Sequence, residues 1–120
     1  MIYLCTVYSS GANGDKKVLE ERYLKAMDFV AHYKHRHVYS PILHCHPMAM
    51  KYDFPKDYDF WRQKDEAFIR AADEVWVLMS YGWKESKGIT EEIQYAKSIG
   101  KRVKYFADIK DLYPGVTDEF

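Results

Sequence analysis

Val75-Trp76-Val77-Leu78-Met79 is an unbroken apolar run, and the architecture expected of the chain follows from it. The run is short, rich in β-formers and uniformly apolar, so it reads as a strand buried on both faces. A helical pattern precedes it over residues 59–72, with Phe60, Trp61, Phe68 and Ile69 available for packing. A loop carrying Gly82 and Gly88 follows it. A second helical pattern then covers residues 89–99, and Gly100 stops it as a C-terminal cap. Residues 103–106 give the last strand. A doubly buried strand between helices belongs to a parallel sheet.

Towards the N-terminus the same alternation continues. Residues 2–7 (Ile-Tyr-Leu-Cys-Thr-Val) read as a first strand, and 9–14 (Ser-Ser-Gly-Ala-Asn-Gly) as a tight polar loop. From 15 to about 35, Leu19, Tyr23, Met27 and Val30 recur at helical spacing. Residues 38–43 form a candidate second strand, with Pro41 marking an end or edge. Residues 44–58 carry Pro47 and Pro55 with little periodicity, so a long loop is expected there. The tail to Phe120 reads as mostly irregular, with one short helical turn. The whole is expected to be one α/β domain over residues 1–120, a flavodoxin-like or Rossmann-like three-layer sandwich. Its parallel sheet would have four to five strands with helices on both faces.

Composition narrows the function classes. Lys+Arg and Asp+Glu both number 18, so the formal net charge is zero. A chain held to a nucleic-acid polymer or an anionic membrane by overall charge would be basic. No apolar run approaches the roughly 20 residues of a membrane helix, and no signal peptide is readable. Cys5 and Cys45 are too few for a disulfide framework. They point to a reducing cytosol, with Cys5 a buried inert thiol. The 17% aromatic content suits a core, a pocket or a subunit contact.

Ligands of such sheets bind beyond the carboxyl ends of the strands. The loops at 8–15, 44–58 and 80–88 are expected to meet there. Two carboxylates fall near that rim: Asp65 in one helix, and Glu92 one turn into the next. A carboxylate near a helix N-terminus is favoured as the anion, which suits a nucleophile. By spacing alone, Glu91 and Glu92 are ordinary acids of a helix start.

The order of several segments adds to this. These are Ile2-Tyr3-Leu4, Gln63-Lys64-Asp65-Glu66-Ala67-Phe68-Ile69, Ala72-Asp73 before the strand, Ser86-Lys87-Gly88-Ile89-Thr90-Glu91-Glu92-Ile93-Gln94-Tyr95-Ala96, and Gly100-Lys101-Arg102-Val103. Over about residues 2–106 they resemble the nucleoside 2-deoxyribosyltransferases and the related 2′-deoxynucleotide N-hydrolases. They look closer still to a small phage and bacterial branch of unassigned function, which carries Ser-Pro-Ile-x-His-x-His-Pro as here at 40–47. The resemblance implies a hydrolase or transferase that cleaves an N-glycosidic bond through a covalent glycosyl-Glu92 intermediate. It also implies Tyr3 touching that glutamate, Asp65 as proton donor or orienter, no cofactor, and a homodimer or larger assembly. Ser86 stands where enzymes of free nucleosides carry an acid, so a nucleoside 5′-monophosphate is expected ahead of a nucleoside. The arginine that nucleotide hydrolases place in the first loop is absent here.

Further pocket candidates are Tyr8, Ser9, Ser10 and Gly11 in the first loop, Gly88 beside the glutamate, His44 and His46, and Trp83. Trp83 could stack on a base, or it could cover the core. His44-Cys45-His46 offers too few ligands for a metal and reads as a loop with pocket-lining histidines. His32, His35 and His37 read as surface residues. Two alternatives to cleavage are a non-catalytic binder of a nucleotide-derived ligand and a glycohydrolase releasing nicotinamide.

Overall fold

The computed structural model describes residues 1–55 and 58–108, apart from the side chain of Tyr58. The expected turn in the tail lies outside these residues. The order is β1 (Ile2–Cys5), α1 (Lys16–His32), β2 (Val38–Tyr39), α2 (Pro41–Tyr52), α3 (Tyr58–Ala71), β3 (Glu74–Met79), α4 (Lys87–Ser98) and β4 (Arg102–Ala107). A short 3-10 turn at Trp83–Glu85 leads into α4.

All strand pairs are parallel, and the sheet order is β2-β1-β3-β4. The expected α/β three-layer architecture is therefore present, with four strands. Alternate side chains of β1 and β3 go to opposite faces, as a strand's period of two requires. Tyr3, Cys5, Val75 and Val77 pack with Ile69, Ile89 and Ala96 of α3 and α4. Ile2, Leu4, Trp76 and Leu78 pack with Phe29 of α1 and Phe106 of β4. The Trp76 indole lies 4.4 Å from the Phe106 ring, and its Nε1 donates to Glu74 at 2.7 Å.

The second strand, the segment after it and the buried stripe of α1 differ from the sequence reading. The second strand is two residues long because Pro41 begins a helix instead of ending a strand. Proline suits the first helical position, where no backbone N–H is needed. Helix α2 then replaces most of the expected loop. Its buried residues, Pro41, Ile42, Cys45, His46 and Ala49, repeat every four positions. That periodicity is hidden when His and Cys are counted as polar. Pro47 sits inside this helix on its exposed side, where the lost N–H is its main cost. In α1 the buried stripe is Leu19, Ala26 and Phe29, while Met27 is exposed.

The end of α4 follows the expected glycine cap. Gly100 has φ +79°, its N–H reaches the Lys97 carbonyl at 3.1 Å, and Lys101 N–H reaches Ala96 at 2.9 Å. This double bond is the Schellman arrangement, which requires a left-handed residue at that position.

Candidate active site

In the order β2-β1-β3-β4 the chain departs in opposite directions from β1 and β3. A crevice opens between the loops that follow those two strands. A cleft of about 300 Å³ lies there, lined by Thr6 and Tyr8–Ser10 after β1 and by Glu85–Gly88 after β3. Helix α2 closes one side with Pro41, Ile42, Cys45 and Ala49, and α3 the other with Asp59, Trp61 and Asp65. Glu92 of α4 forms part of the floor. The volume is at the small end of the range for small-molecule sites.

Glu92 is buried, and the Tyr3 hydroxyl donates to its Oε2. The Cys5 thiol donates to the same carboxyl. Both donors come from β1, which makes the wall behind the glutamate rigid. Asp65 is also buried, and its Oδ1 has no hydrogen-bond partner. Burial raises both acids, Asp65 to about 7 and Glu92 to about 8, with the Asp65 charge adding to the rise at Glu92. Burial thus opposes the anion expected at a helix N-terminus. Glu92 lies in the second turn of α4, and loss of water outweighs the helix field there.

The two acids influence one another's titration near neutrality, because the Asp65 charge opposes ionisation of Glu92. The Tyr3 and Cys5 donors pull Glu92 back towards its charged form, while burial and the Asp65 charge hold it raised; the Oδ1 of Asp65 faces no donor. Thr6 Oγ1, Tyr39 Oη and Ser40 Oγ are also buried without partners. Thr6 lines the cleft, Ser40 precedes the lining Pro41, and the Tyr39 hydroxyl is raised in part by the Asp65 charge. Buried polar atoms are normally satisfied, and two of these four, Thr6 Oγ1 and Asp65 Oδ1, belong to residues that line the cleft.

Ser86 is buried and caps α4, its Oγ accepting from Ile89 N–H at 3.3 Å. Its hydroxyl proton can still point to the cleft. Gly88 and Glu92 share one helix face at a spacing of four. Lys87 lines the cleft and donates to Asp59 at 3.0 Å. In the first loop, Arg22 Nη1 donates to the carbonyls of Tyr8 at 2.6 Å and Ser10 at 2.7 Å. That guanidinium thus fixes the loop from α1.

The structure gathers Glu92, Asp65, Tyr8, Ser9, Ser10, Ser86 and Gly88 at one cleft, with Tyr3 buried behind Glu92. Four other candidates lie elsewhere. Gly11 is exposed beyond the lining. His44 is exposed and accepts from Lys64 Nζ at 2.8 Å, because its position on α2 turns it from the cleft. His46 is buried behind Tyr8 and so does not line the cavity. Trp83 packs on the core and against Tyr105, 5.9 Å between rings. Among the described residues no three His, Cys, Asp or Glu side chains are grouped to hold a metal ion. No described helix is long and apolar enough to cross a membrane.

Sequence reading missed Trp61, Asp59, Cys45 and Glu85 as lining residues. Trp61 was recoverable, since it precedes Asp65 by four and must share its face of α3. Cys45 required α2 to be recognised as a helix. Its thiol is pushed up to about 11 by burial and by Asp65.

The family model described as "Domain of unknown function (DUF1937)" matches residues 1–108. No curated protein matches the chain.

Proposed function

The chain belongs to this family of unknown function, and from the chemistry of its cleft we propose that it breaks the N-glycosidic bond of a nucleoside, with Glu92 as nucleophile. The observation that carries this reading is the pair of buried carboxyls, Glu92 and Asp65, both raised towards neutrality in one cavity. Two acids whose surroundings assign them different roles are the usual equipment for glycoside chemistry. The resemblance to the nucleoside 2-deoxyribosyltransferases supports the same assignment.

In the first step a Glu92 oxygen bonds to the anomeric carbon as the carbon–nitrogen bond breaks. The electron pair of that bond goes to the base nitrogen, and the Asp65 carboxyl supplies a proton to the departing base. In the second step water, or the nitrogen of another base, takes the sugar from Glu92 and restores the carboxylate. Splitting the displacement in two lowers each barrier. Tyr3 and Cys5 hold Glu92 at a fixed angle and stabilise its charge.

Ser86 by itself favours a 5′-phosphate, but the rest of the lining weighs against one. Asp59 and Glu85 stand in the same wall, Lys87 is engaged by Asp59, and Arg22 is turned to two carbonyls. A phosphate dianion would meet the Glu85 carboxylate and a lysine already paired with Asp59, whereas a 5′-hydroxyl can bond to either carboxylate. A free nucleoside is therefore the substrate favoured here.

The test is a panel of nucleosides and their 5′-monophosphates, scored for free base with wild type and Glu92→Gln. Release from nucleosides by wild type alone is expected. Equal turnover by the variant would remove Glu92 from the chemistry. Retention of intact nucleoside with no base released would show a binder.

A further inference from the structure

The Ser-Pro-Ile-Leu-His-Cys-His-Pro segment has a member that the reading above leaves unused. His46 is almost completely buried, at 2% exposure, yet it is linked at both ring nitrogens. We infer that Glu20, His46 and Tyr8 form a proton route from solvent to the cleft, ending on the water that frees the sugar from Glu92. This rests on the glycosidic reading above.

With the ring neutral, the partners set the direction of each bond. His46 Nε2 lies 3.0 Å from Glu20 Oε1, and a carboxylate can only accept, so Nε2 carries the proton. In the neutral ring Nδ1 is then the acceptor, and the Tyr8 hydroxyl donates to it at 2.6 Å. Tyr23 stacks on the imidazole at 4.5 Å and holds its plane. Tyr8 lines the cleft at one end, while the Glu20 side chain is 52% exposed at the other. A buried histidine held between a carboxylate and a hydroxyl follows the logic of a catalytic triad, with tyrosine in place of serine. The groups facing the chain are Glu20, Tyr23 and Arg22 of α1 and Cys45 of α2. Burial, Cys45 and Glu20 push the Tyr8 hydroxyl up to about 12, so it passes a proton on without resting as an anion.

The step balances. The water oxygen bonds to the anomeric carbon, and the Glu92–carbon ester bond breaks with its electron pair returning to Glu92. The water proton passes to the Tyr8 oxygen as the Tyr8 proton moves to His46 Nδ1. The Nε2 proton moves to Glu20 and then to solvent, and before the next turnover solvent returns one proton to Asp65 and the imidazole goes back to its Nε2–H tautomer. Tyr8 touches the reacting water, while His46 and Glu20 act through it as positioning residues.

The experiment compares wild type, Tyr8→Phe and Glu20→Gln in rapid-mix assays on a nucleoside, with intact-mass measurement of the protein. Glu20 is half exposed, so its variant tests the route without disturbing the core. The expected result is a first-turnover burst of base followed by a steady rate reduced about 100-fold in Tyr8→Phe. The sugar–protein adduct should accumulate, and the alkaline side of the steady-state pH profile should move in Glu20→Gln. Wild-type steady rates and pH profiles in both variants would overturn the route. Absence of any base release by wild type would sink the glycosidic reading instead. The route is then decided by nitrogen NMR of the imidazoles: an Nε2–H tautomer at His46 that shifts in Glu20→Gln supports it, and an Nδ1–H tautomer overturns it.

Discussion

Tyr3 and Glu92 stand 89 positions apart in the chain, yet the hydroxyl of the first donates to the carboxylate of the second inside the core. Tyr3 is fully buried among Val75, Val77 and Ile89, so the group that orients the nucleophile is itself a packing residue. A site anchored in a strand and a helix holds its geometry better than one carried by loops. The same burial that secures Glu92 also opposes its charge, and most of the behaviour expected of this protein follows from that conflict.

Tyr3→Phe keeps the ring and removes one donor. The Tyr3 bond lowers the Glu92 value against the upward pull of burial, so its loss raises Glu92 further. The acid limb of base release should move to higher pH, with turnover at pH 7 falling about 10-fold, the order of one lost charge-assisted bond. A pH–rate profile measures both. An unchanged acid limb would mean that the hydroxyl does not sense the carboxylate.

Glu92→Gln should stabilise the fold while ending catalysis. Folded Glu92 and Asp65 keep protons that an unfolded chain releases near its ordinary carboxyl values. The folded state therefore binds more protons from about pH 4 to about pH 8, so stability falls as pH rises through that window. Below it the stability is fully present. The glutamine variant lacks one of the two acids, so its melting temperature should decline less with pH. At pH 9 it should exceed wild type by about 1–2 kcal/mol, the usual gain when a functional group under strain is neutralised. Thermal melts from pH 4 to 9 give the answer, and parallel curves for the two proteins would count against a buried, raised Glu92.

The sheet was legible because Val75–Met79 is apolar at every position, and only a doubly buried strand requires that. Asp65 and Glu92 were legible as a pair through the resemblance of their segments, since spacing alone leaves Glu92 an ordinary acid of a helix start. Helix α2 was not, since its buried face is built from Pro41, Cys45 and His46, residues that usually mark loops or sites. The raised state of Glu92 was also hidden. Sequence shows the nearby helix start, but only the fold shows how completely α4, β1 and α3 exclude water from its carboxyl. Likewise Glu20 stands in a run of mixed Lys and Glu that, as sequence, reads only as a solvated helix face. Its partner is 26 positions away and became visible only when α1 met α2.

Asp65→Asn should separate proton donation from the rest of the chemistry. The variant keeps the shape and lacks the acid, so release of an ordinary base should fall about 100-fold or more. A nitrophenyl riboside leaves without needing a proton, and its cleavage should fall less than about 10-fold. With the Asp65 charge gone, Glu92 should also ionise at lower pH, moving the acid limb down. Equal losses on both substrates would make Asp65 an orienting group and nothing more.

Ser86 carries two roles that substitution can divide. Its Oγ caps α4 through Ile89, and removing a cap of this kind costs about 1 kcal/mol. Ser86→Ala should lower stability by that amount and misplace Glu92 slightly, since the cap fixes the start of the helix that carries it. Ser86→Asp restores a good cap and adds a carboxylate to a wall already holding Asp59 and Glu85. If the cleft takes free nucleosides, the aspartate variant should regain wild-type stability and keep most nucleoside cleavage, because a carboxylate accepts from a 5′-hydroxyl. Any residual cleavage of the 5′-monophosphate should vanish, because the added charge repels the phosphate. Comparing kcat/KM for the two substrates in the three proteins decides the matter: a monophosphate preferred by wild type and lost only in the aspartate variant would return the phosphate to the substrate.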